Sequence, residues 1–481
     1  MLRTGSKYRH LVHDAGCGCS NPDLQRASLR LEALSRRGVL SGLAATAFAG
    51  MLPAQGVAET MAGQGPTLLT NARLFDSRAG KAVDNAQVLV DGGRITDVDL
   101  ARSPPPERAT VVDCRAGMII PGLIDAHWHT IFAAVPLNQL LGGDPGIVFA
   151  ASTAEAERTL MRGFTTVRDL GGPVFSFKQA IDTGLIPGPR IYPSGAMITT
   201  SGGHGDMRLP NEIPRDGGRL SSSELFGGAA IVDGIDALQL RIREQLLQGA
   251  SQVKIVGSGG VSSPRSPLDM ITFSEEELRA AVAVAADWNT YIVLHAYTDR
   301  AVQRALRAGV TCIEHAHLID EETAIMIAEK GAWLSTQPFL TMADAASQTG
   351  PGVERAQQIF LGTPTLYQYA RKHGIKTAWG SDVLFSPELG PRQNIMLTHL
   401  SNWYQNAEVL QMATSGNAQL LELSNMRNPY PGKLGVIEKG SFADLVVVGG
   451  NPVDDLSLLE DPEKNFKLIM KDGRVHKNIL S

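Results

Sequence analysis

Tyr291-Ile292-Val293-Leu294-His295, then Asp299–Ala308 closing on Gly309, then Thr311-Cys312-Ile313-Glu314-His315 is the stretch that decides the fold. The first run is apolar and rich in β-branched residues, the signature of a buried strand. The next segment opens on an aspartate and stops at a glycine, where a left-handed residue past a helix end is wanted. A second buried strand follows. Strand, helix and strand in that order call for a parallel pair with a crossover helix.

The same unit recurs outward in both directions. Strand-like runs at Met118–Ile124, Thr165–Asp169, Arg190–Ser194, Gln252–Val256, Trp333–Thr336 and Lys376–Gly380 bring the set to eight. Helical patterns lie between most of them. Ser274-Glu275-Glu276-Glu277 is a capping box opening an amphipathic stretch to Trp288, and Val353–His373 stops at Gly374. Eight strands alternating with helices over about 260 residues predict an α/β fold of the (β/α)8 barrel type. No internal repeat is visible beyond this alternation.

Both flanks read differently. Leu68–Phe75, Ala86–Val90 and Arg94–Val98 are short strands set among turn residues Asp76, Gly80, Asn85 and Asp91-Gly92-Gly93. Asp444–Val448, Lys467–Met470 and Arg474-Val475, with a Lys471-Asp472-Gly473 turn, repeat that character at the far end. Neither piece has the residues for its own core, so the expectation is one small composite β-sandwich built from both termini. The predicted organisation is a leader over 1–58, β segments over 59–119 and 426–481, and the barrel over 120–425.

The leader rests on Ser35-Arg36-Arg37-Gly38-Val39-Leu40 followed by an uncharged, small-residue stretch from Leu40 to Pro53. Residues 1–37 carry seven Lys/Arg against three Asp/Glu, and Gly56-Val57-Ala58 offers a small-residue exit. This is a bacterial twin-arginine export pattern, and it predicts a periplasmic or secreted protein. Cys17 and Cys19 fall within it, which leaves Cys114 and Cys312 and no disulfide scaffold. With 44 basic and 49 acidic residues, the net charge of −5 offers no concentrated positive face for nucleic acid. Hydrophobic residues make up 43% of the chain, enough for a large core, and no segment after the leader suggests a membrane span in the mature form.

The chemistry-bearing residues fall at strand ends. His127 and His129 close the first strand, two apart on an extended chain and therefore on one side of it. Lys254 lies in the fourth strand, His295 ends the fifth, His315 ends the sixth and Asp382 follows the eighth. A barrel gathers its C-terminal strand ends at one mouth, so all six are expected in one pocket.

These residues sit in motifs that resemble the amidohydrolase superfamily across residues 67–475. The matching pieces are Ile120-Pro121-Gly122-Leu123-Ile124-Asp125-Ala126-His127-Trp128-His129, Val253-Lys254-Ile255, Leu294-His295-Ala296, Ile313-Glu314-His315, Gly380-Ser381-Asp382 and the closing stretch Gly435 to Leu445. Ser201-Gly202-Gly203-His204-Gly205 and Gly257-Ser258-Gly259-Gly260-Val261 are similar to loops of its imidazolonepropionase-like group, which holds prolidases, metal carboxypeptidases and ochratoxin-hydrolysing amidohydrolases. Trp128 is bulkier than expected between the two histidines and is expected to narrow the pocket floor.

The resemblance implies a binuclear metal-dependent hydrolase of C–N bonds. Lysine ammonium has no lone pair for a cation, so Lys254 is implied to be N6-carboxylated by carbon dioxide and to bridge two ions. His127, His129, Lys254 and Asp382 would hold one ion, and Lys254, His295 and His315 the other. Zinc suits a ligand set without thiolate. The implied mechanism is attack by metal-bound hydroxide with Asp382 as catalytic acid and base. The implied substrates are Xaa-Pro or other dipeptides, or N-acyl amino acids such as ochratoxin-type amides. The alternative is an imidazolonepropionase-like cyclic-amide hydrolase or deaminase with one metal. A homo-oligomer is also implied.

His204 and Tyr297 are candidate contacts for a substrate carboxylate, and Trp128, Phe132, Phe339 and Leu340 for an apolar side chain. Residues 337–358 are a candidate lid. The Gly257–Gly260 loop reads as a tight turn beside the metals, since it lacks the Lys-Ser/Thr of a phosphate loop. Arg168-Asp169 is expected to be a structural ion pair, and His317, His373 and His399 are expected to be structural.

Overall fold

A computed structural model describes residues 65–99, 105–214, 219–263, 265–345 and 350–480. The predicted leader over 1–58 and part of the candidate lid lie outside the described residues. The chain enters through β1 (Thr67–Asp76), β2 (Lys81–Asp91), β3 (Arg94–Asp99), β4 (Thr110–Asp113) and β5 (Met118–Pro121). The strand expected over Met118–Ile124 is in fact two. β5 pairs with β1, whereas β6 (Leu123–Trp128) pairs with β7 (Phe164–Asp169) in the barrel. Gly122 stands at the crossing, where an added Cβ would lie 2.1 Å from the Thr165 hydroxyl. Only glycine lets the chain pass between the two sheets there.

The barrel strands are β6, β7, β8 (Arg190–Pro193), β11 (Val253–Val256), β12 (Ile292–Thr298), β13 (Cys312–Leu318), β14 (Trp333–Thr336) and β15 (Lys376–Trp379). They form two parallel ladders, β6-β7-β8 and β11-β12-β13-β14-β15, the second extended by β9 (Met197–Thr199) and β10 (Ala229–Ile231). Both additions are three residues long, too short to show a period in the sequence. Two seams complete the ring. Ser251 donates its N–H to the Pro193 carbonyl at 2.8 Å, and Asp382 donates its N–H to the His127 carbonyl at 2.8 Å. Barrel strands are buried on both faces, as a parallel sheet covered by helices must be.

Crossover helices stop where their caps dictate. Glu275–Asp287 starts on Ser274, whose hydroxyl accepts from Glu277 N–H. Asp299–Ala308 ends at Gly309 with φ +95°, and Pro351–Lys372 ends just before Gly374 with φ +61°. None of the described helices is long and apolar enough to cross a membrane.

The chain returns through β16 (Leu445–Val448), β17 (Phe466–Lys471) and β18 (Arg474–Asn478). These join the opening strands in one sheet ordered β18-β17-β16-β5-β1-β2-β3, with β4 on β1. It closes over a small core that includes Leu69, Val88, Ile119, Val447 and Met470. β5 lies between β16 and β1, so strands more than 300 residues apart complete one composite sheet. Asp444, leading into β16, accepts from Arg190 of barrel strand β8 at 2.9 Å and fastens the β layer to the barrel.

Candidate metal centre

His127 and His129 reach the same side of β6, as strand alternation demands. Their Nε2 atoms lie 3.1 and 3.3 Å from one oxygen of Asp382. The three ligand atoms sit within 4.8 Å of one another, a spacing that fits a single metal ion. Gly380 packs so tightly on His127 that a Cβ would come within 2.3 Å of its backbone nitrogen. Asp382 then turns into the left-handed region with φ +54°, which aspartate tolerates better than most residues.

The other predicted residues converge on the same place. Lys254 Nζ is 3.5 Å from His127 Nε2. The His315 ring lies 5.0 Å from that of His127 and 4.4 Å from that of His295. All six groups line one pocket, as do His204 and Tyr297. His315 and Ala316 both have positive φ, +74° and +57°, where non-glycine residues cost roughly 1–3 kcal/mol each. The strain turns the end of β13 so that His315 reaches the void.

Each histidine has one nitrogen fixed by an acceptor, which leaves the other lone pair for an ion. His127 Nδ1 is 2.7 Å from Glu314, His129 Nδ1 3.3 Å from the Gly171 carbonyl, and His315 Nδ1 2.8 Å from the Gln337 amide oxygen. His295 uses Nε2 instead, 3.0 Å from the Gly259 carbonyl. The Gly257–Gly260 turn therefore serves the centre through its backbone. Glu314 and Gln337 were not predicted as site residues. A carboxylate in the apolar strand Cys312–Leu318 was the available signal for Glu314; Gln337 had none.

Glu314 also accepts from Arg168 Nη2 at 2.6 Å, with both side chains fully buried. This corrects the expected Arg168-Asp169 ion pair. Neighbours on a strand point apart, and Asp169 instead accepts from the N–H groups of Thr130 and Gly171. Burial alone would raise the Glu314 carboxyl, but Arg168 and His127 overcome it and hold it at about 2.

The field suits a cation. Burial draws the Lys254 amine down to about 8, against the pull of Glu314 and Asp382. Burial likewise keeps His295 and His315 well below the usual imidazole range, so both are neutral at pH 7. Asp382 lies well below the usual carboxylate range, because His127 and His129 outweigh its burial.

His204 stacks on His295 at 4.7 Å, and its buried Nδ1 has no hydrogen-bond partner. Gly260 makes room for it, since a Cβ there would meet the ring at 2.5 Å. Tyr297 stacks on His315 at 4.9 Å. Phe339, Ile359, Phe360, Leu384 and Leu389 give the void an apolar wall. Trp128 does not narrow the floor: it alternates away from both histidines, is buried in the core and packs against Arg162. Phe132 and Leu340 are likewise absent from the lining. His317 is held by the Gln337 carbonyl, His373 by Glu321 and His399 by the Pro338 carbonyl.

Residues 118–481 match the amidohydrolase family. The chain is 27% identical over 412 residues to ochratoxinase of Aspergillus niger, covering 83% of this chain and 84% of that one. Its fold superimposes on a prolidase crystallised with N-methylphosphonate-L-proline, with a TM-score of 0.79 and 32% identity over 86% of this chain and 100% of that one. A Xaa-Pro dipeptidase with methionine bound in its active site gives a TM-score of 0.72 and 26% identity, again over 86% and 100%.

Proposed function

Because the chain belongs to the amidohydrolase family and is a hydrolase of C–N bonds, we propose that it cleaves an amide whose leaving group is an amino acid with a free carboxylate. The substrates would be dipeptides, Xaa-Pro among them, or N-acyl amino acids of the ochratoxin kind. The observation that carries this reading is His204: a buried imidazole nitrogen without a partner, beside Tyr297, at the edge of a cluster built to hold cations. An anionic group arriving there would satisfy it, with Arg355 adding positive potential nearby.

His127, His129, Lys254 and Asp382 would hold one divalent ion and Lys254, His295 and His315 a second, zinc being the best match to histidine and oxygen ligands. Such ions supply Lewis acidity and bring the ionisation of water toward about pH 7. Lys254 can serve two ions only as a carbamate. Its neutral amine attacks carbon dioxide, the N–C bond forms and one proton leaves. Burial favours that neutral amine. Asp382 takes the proton of the attacking water at a carboxylate oxygen and returns it to the departing nitrogen. Tyr297 and His204 orient the carboxylate, and the apolar wall of Phe339, Ile359 and Phe360 receives the leaving amino acid's side chain.

A library of dipeptides and N-acyl amino acids, each assayed beside its carboxy-amidated form, tests this. Amidation is expected to lower kcat/KM at least about 100-fold, because a polar pocket left unpaired rejects the neutral analogue. Equal rates for both forms would remove the carboxylate requirement.

A further inference from the structure

The wall of the metal pocket has a second side. Behind it lies an outer cavity of about 420 Å³, within the range of about 300–1,000 Å³ usual for small-molecule sites. The two pockets share three segments. Tyr297 lines the metal pocket and Thr298 the outer cavity. Ser262 lines the first, and Leu268 and Asp269 farther along the same loop line the second. On the helix Pro351–Lys372, Ala356 and Ile359 line the first, and Arg355 and Gln358 the second.

Arg355 is the group that asks for a ligand. The buried Arg162, Arg168 and Arg190 are paired with Glu155, Glu314 and Asp444 at 2.6–2.9 Å. Arg355 is nine-tenths buried and has no ion pair among the described residues. It donates from Nη1 to the Ser266 carbonyl at 2.8 Å, while its buried Nε–H has no partner. The hydroxyl of that same Ser266 is also buried without a partner. Two unmet donors and a cation taken out of water together want an anion. The rest of the cavity differs in charge. Glu354 and Asp269 stand exposed at its rim, and Leu268 and Leu318 give it an apolar side. Arg265, also at the rim, donates to the Arg208 carbonyl at 3.4 Å.

A cation at the floor, carboxylates at the rim and an apolar side fit a molecule with a carboxylate, an ammonium and an apolar side chain. We propose that the outer cavity is an accessory site for a free α-amino acid, its carboxylate on Arg355, through which that amino acid acts back on the metal centre. Identifying the ligand with the released amino acid rests on the function proposed above; the site itself does not. The connection to the centre is short. Arg355 shares the Ser266 carbonyl with the Gly260 N–H, which reaches it at 3.3 Å, and Gly260 lies against the His204 ring. Gly259, beside it, holds His295 through its carbonyl. A carboxylate drawing on Arg355 therefore pulls on the loop that seats both histidines.

Equilibrium dialysis of radiolabelled L-phenylalanine against the metal-loaded enzyme reads the stoichiometry. Two molecules per chain are expected, one in the metal pocket and one in the outer cavity. Arg355→Met is expected to weaken the outer one at least about tenfold, the scale of a lost hydrogen bond to a charged group. Gln358→Trp, which fills the cavity from its exposed rim and leaves the Ser266 contact alone, is expected to do the same. Inhibition of dipeptide hydrolysis by L-phenylalanine should be mixed in the native enzyme and purely competitive in both variants. A native stoichiometry that both substitutions leave unchanged overturns the accessory site, and purely competitive inhibition of the native enzyme overturns its action on the centre. A single native equivalent that both substitutions abolish upholds the accessory site and counts instead against an amino-acid carboxylate in the metal pocket, so the two ideas fail separately.

Discussion

Replacing Glu314 by Gln removes one charge from a dry three-residue chain and keeps its shape. Glu314 has one oxygen 2.7 Å from His127 Nδ1 and the other 2.6 Å from Arg168 Nη2, with no solvent on either partner. Gln has one acceptor and one donor where two acceptors are needed, so either His127 or Arg168 meets an N–H. A carboxyl held at about 2 instead of 4.5 is stabilised as its anion by about 3 kcal/mol. Breaking a buried pair while leaving one charge behind costs about 3–5 kcal/mol, in agreement. At about 2 °C per kcal/mol for a large domain, thermal unfolding should move down by about 6 °C or more. His127 also loses the group that fixes its proton on Nδ1, and metal affinity should fall about 10–100-fold. Differential scanning fluorimetry and competition with a chromophoric chelator read the two effects, with Glu314→Asp as a partial rescue. The sign with pH follows. The folded-state pKa is depressed, so this stability is fully present above about pH 4.5 and is lost as pH falls toward 2. Glu314→Gln with native melting and metal affinity within about twofold would refute the reasoning.

Three further outcomes are expected. Asp382→Asn should lower kcat by at least about 10²-fold, the least a lost general base costs, while circular dichroism stays native. On adding zinc, metal-free protein should recover activity faster with added bicarbonate, and at fixed dissolved CO2 the rate should rise with pH through about 8, where the Lys254 amine becomes neutral; a recovery indifferent to bicarbonate would argue against carboxylation. Gly380→Ala should displace His127, whose backbone nitrogen would lie 2.3 Å from the new methyl group, and should weaken metal binding measured by titration with zinc, while the half-buried His476 of β18, outside the site, serves as an unaffected control when replaced by Gln.

Much of this was legible before any coordinates. Barrel strands showed themselves because a strand buried on both faces is a continuous apolar run, and its ligands because strand ends share one mouth. Glycine told where helices stop, at Gly309 and Gly374. What stayed hidden depended on neighbours distant in sequence. That Met118–Ile124 divides at Gly122 is decided by Thr165, 43 residues on (165 − 122). That Arg168 pairs with Glu314 and not with its neighbour Asp169 is decided across the barrel interior. Trp128 was misjudged because alternation along β6, which sets both histidines toward the mouth, turns the residue between them into the core. Gln337 carries no chemical signature, and only the fold brings it to His315.

The central claim is a site for two ions bridged by Lys254. Metal analysis of a fully active preparation, expressed per chain and paired with kcat, tests it most directly. Two divalent ions per chain are expected, with activity lost as the second is removed. Fewer than about 1.5 ions per chain at full activity would contradict it.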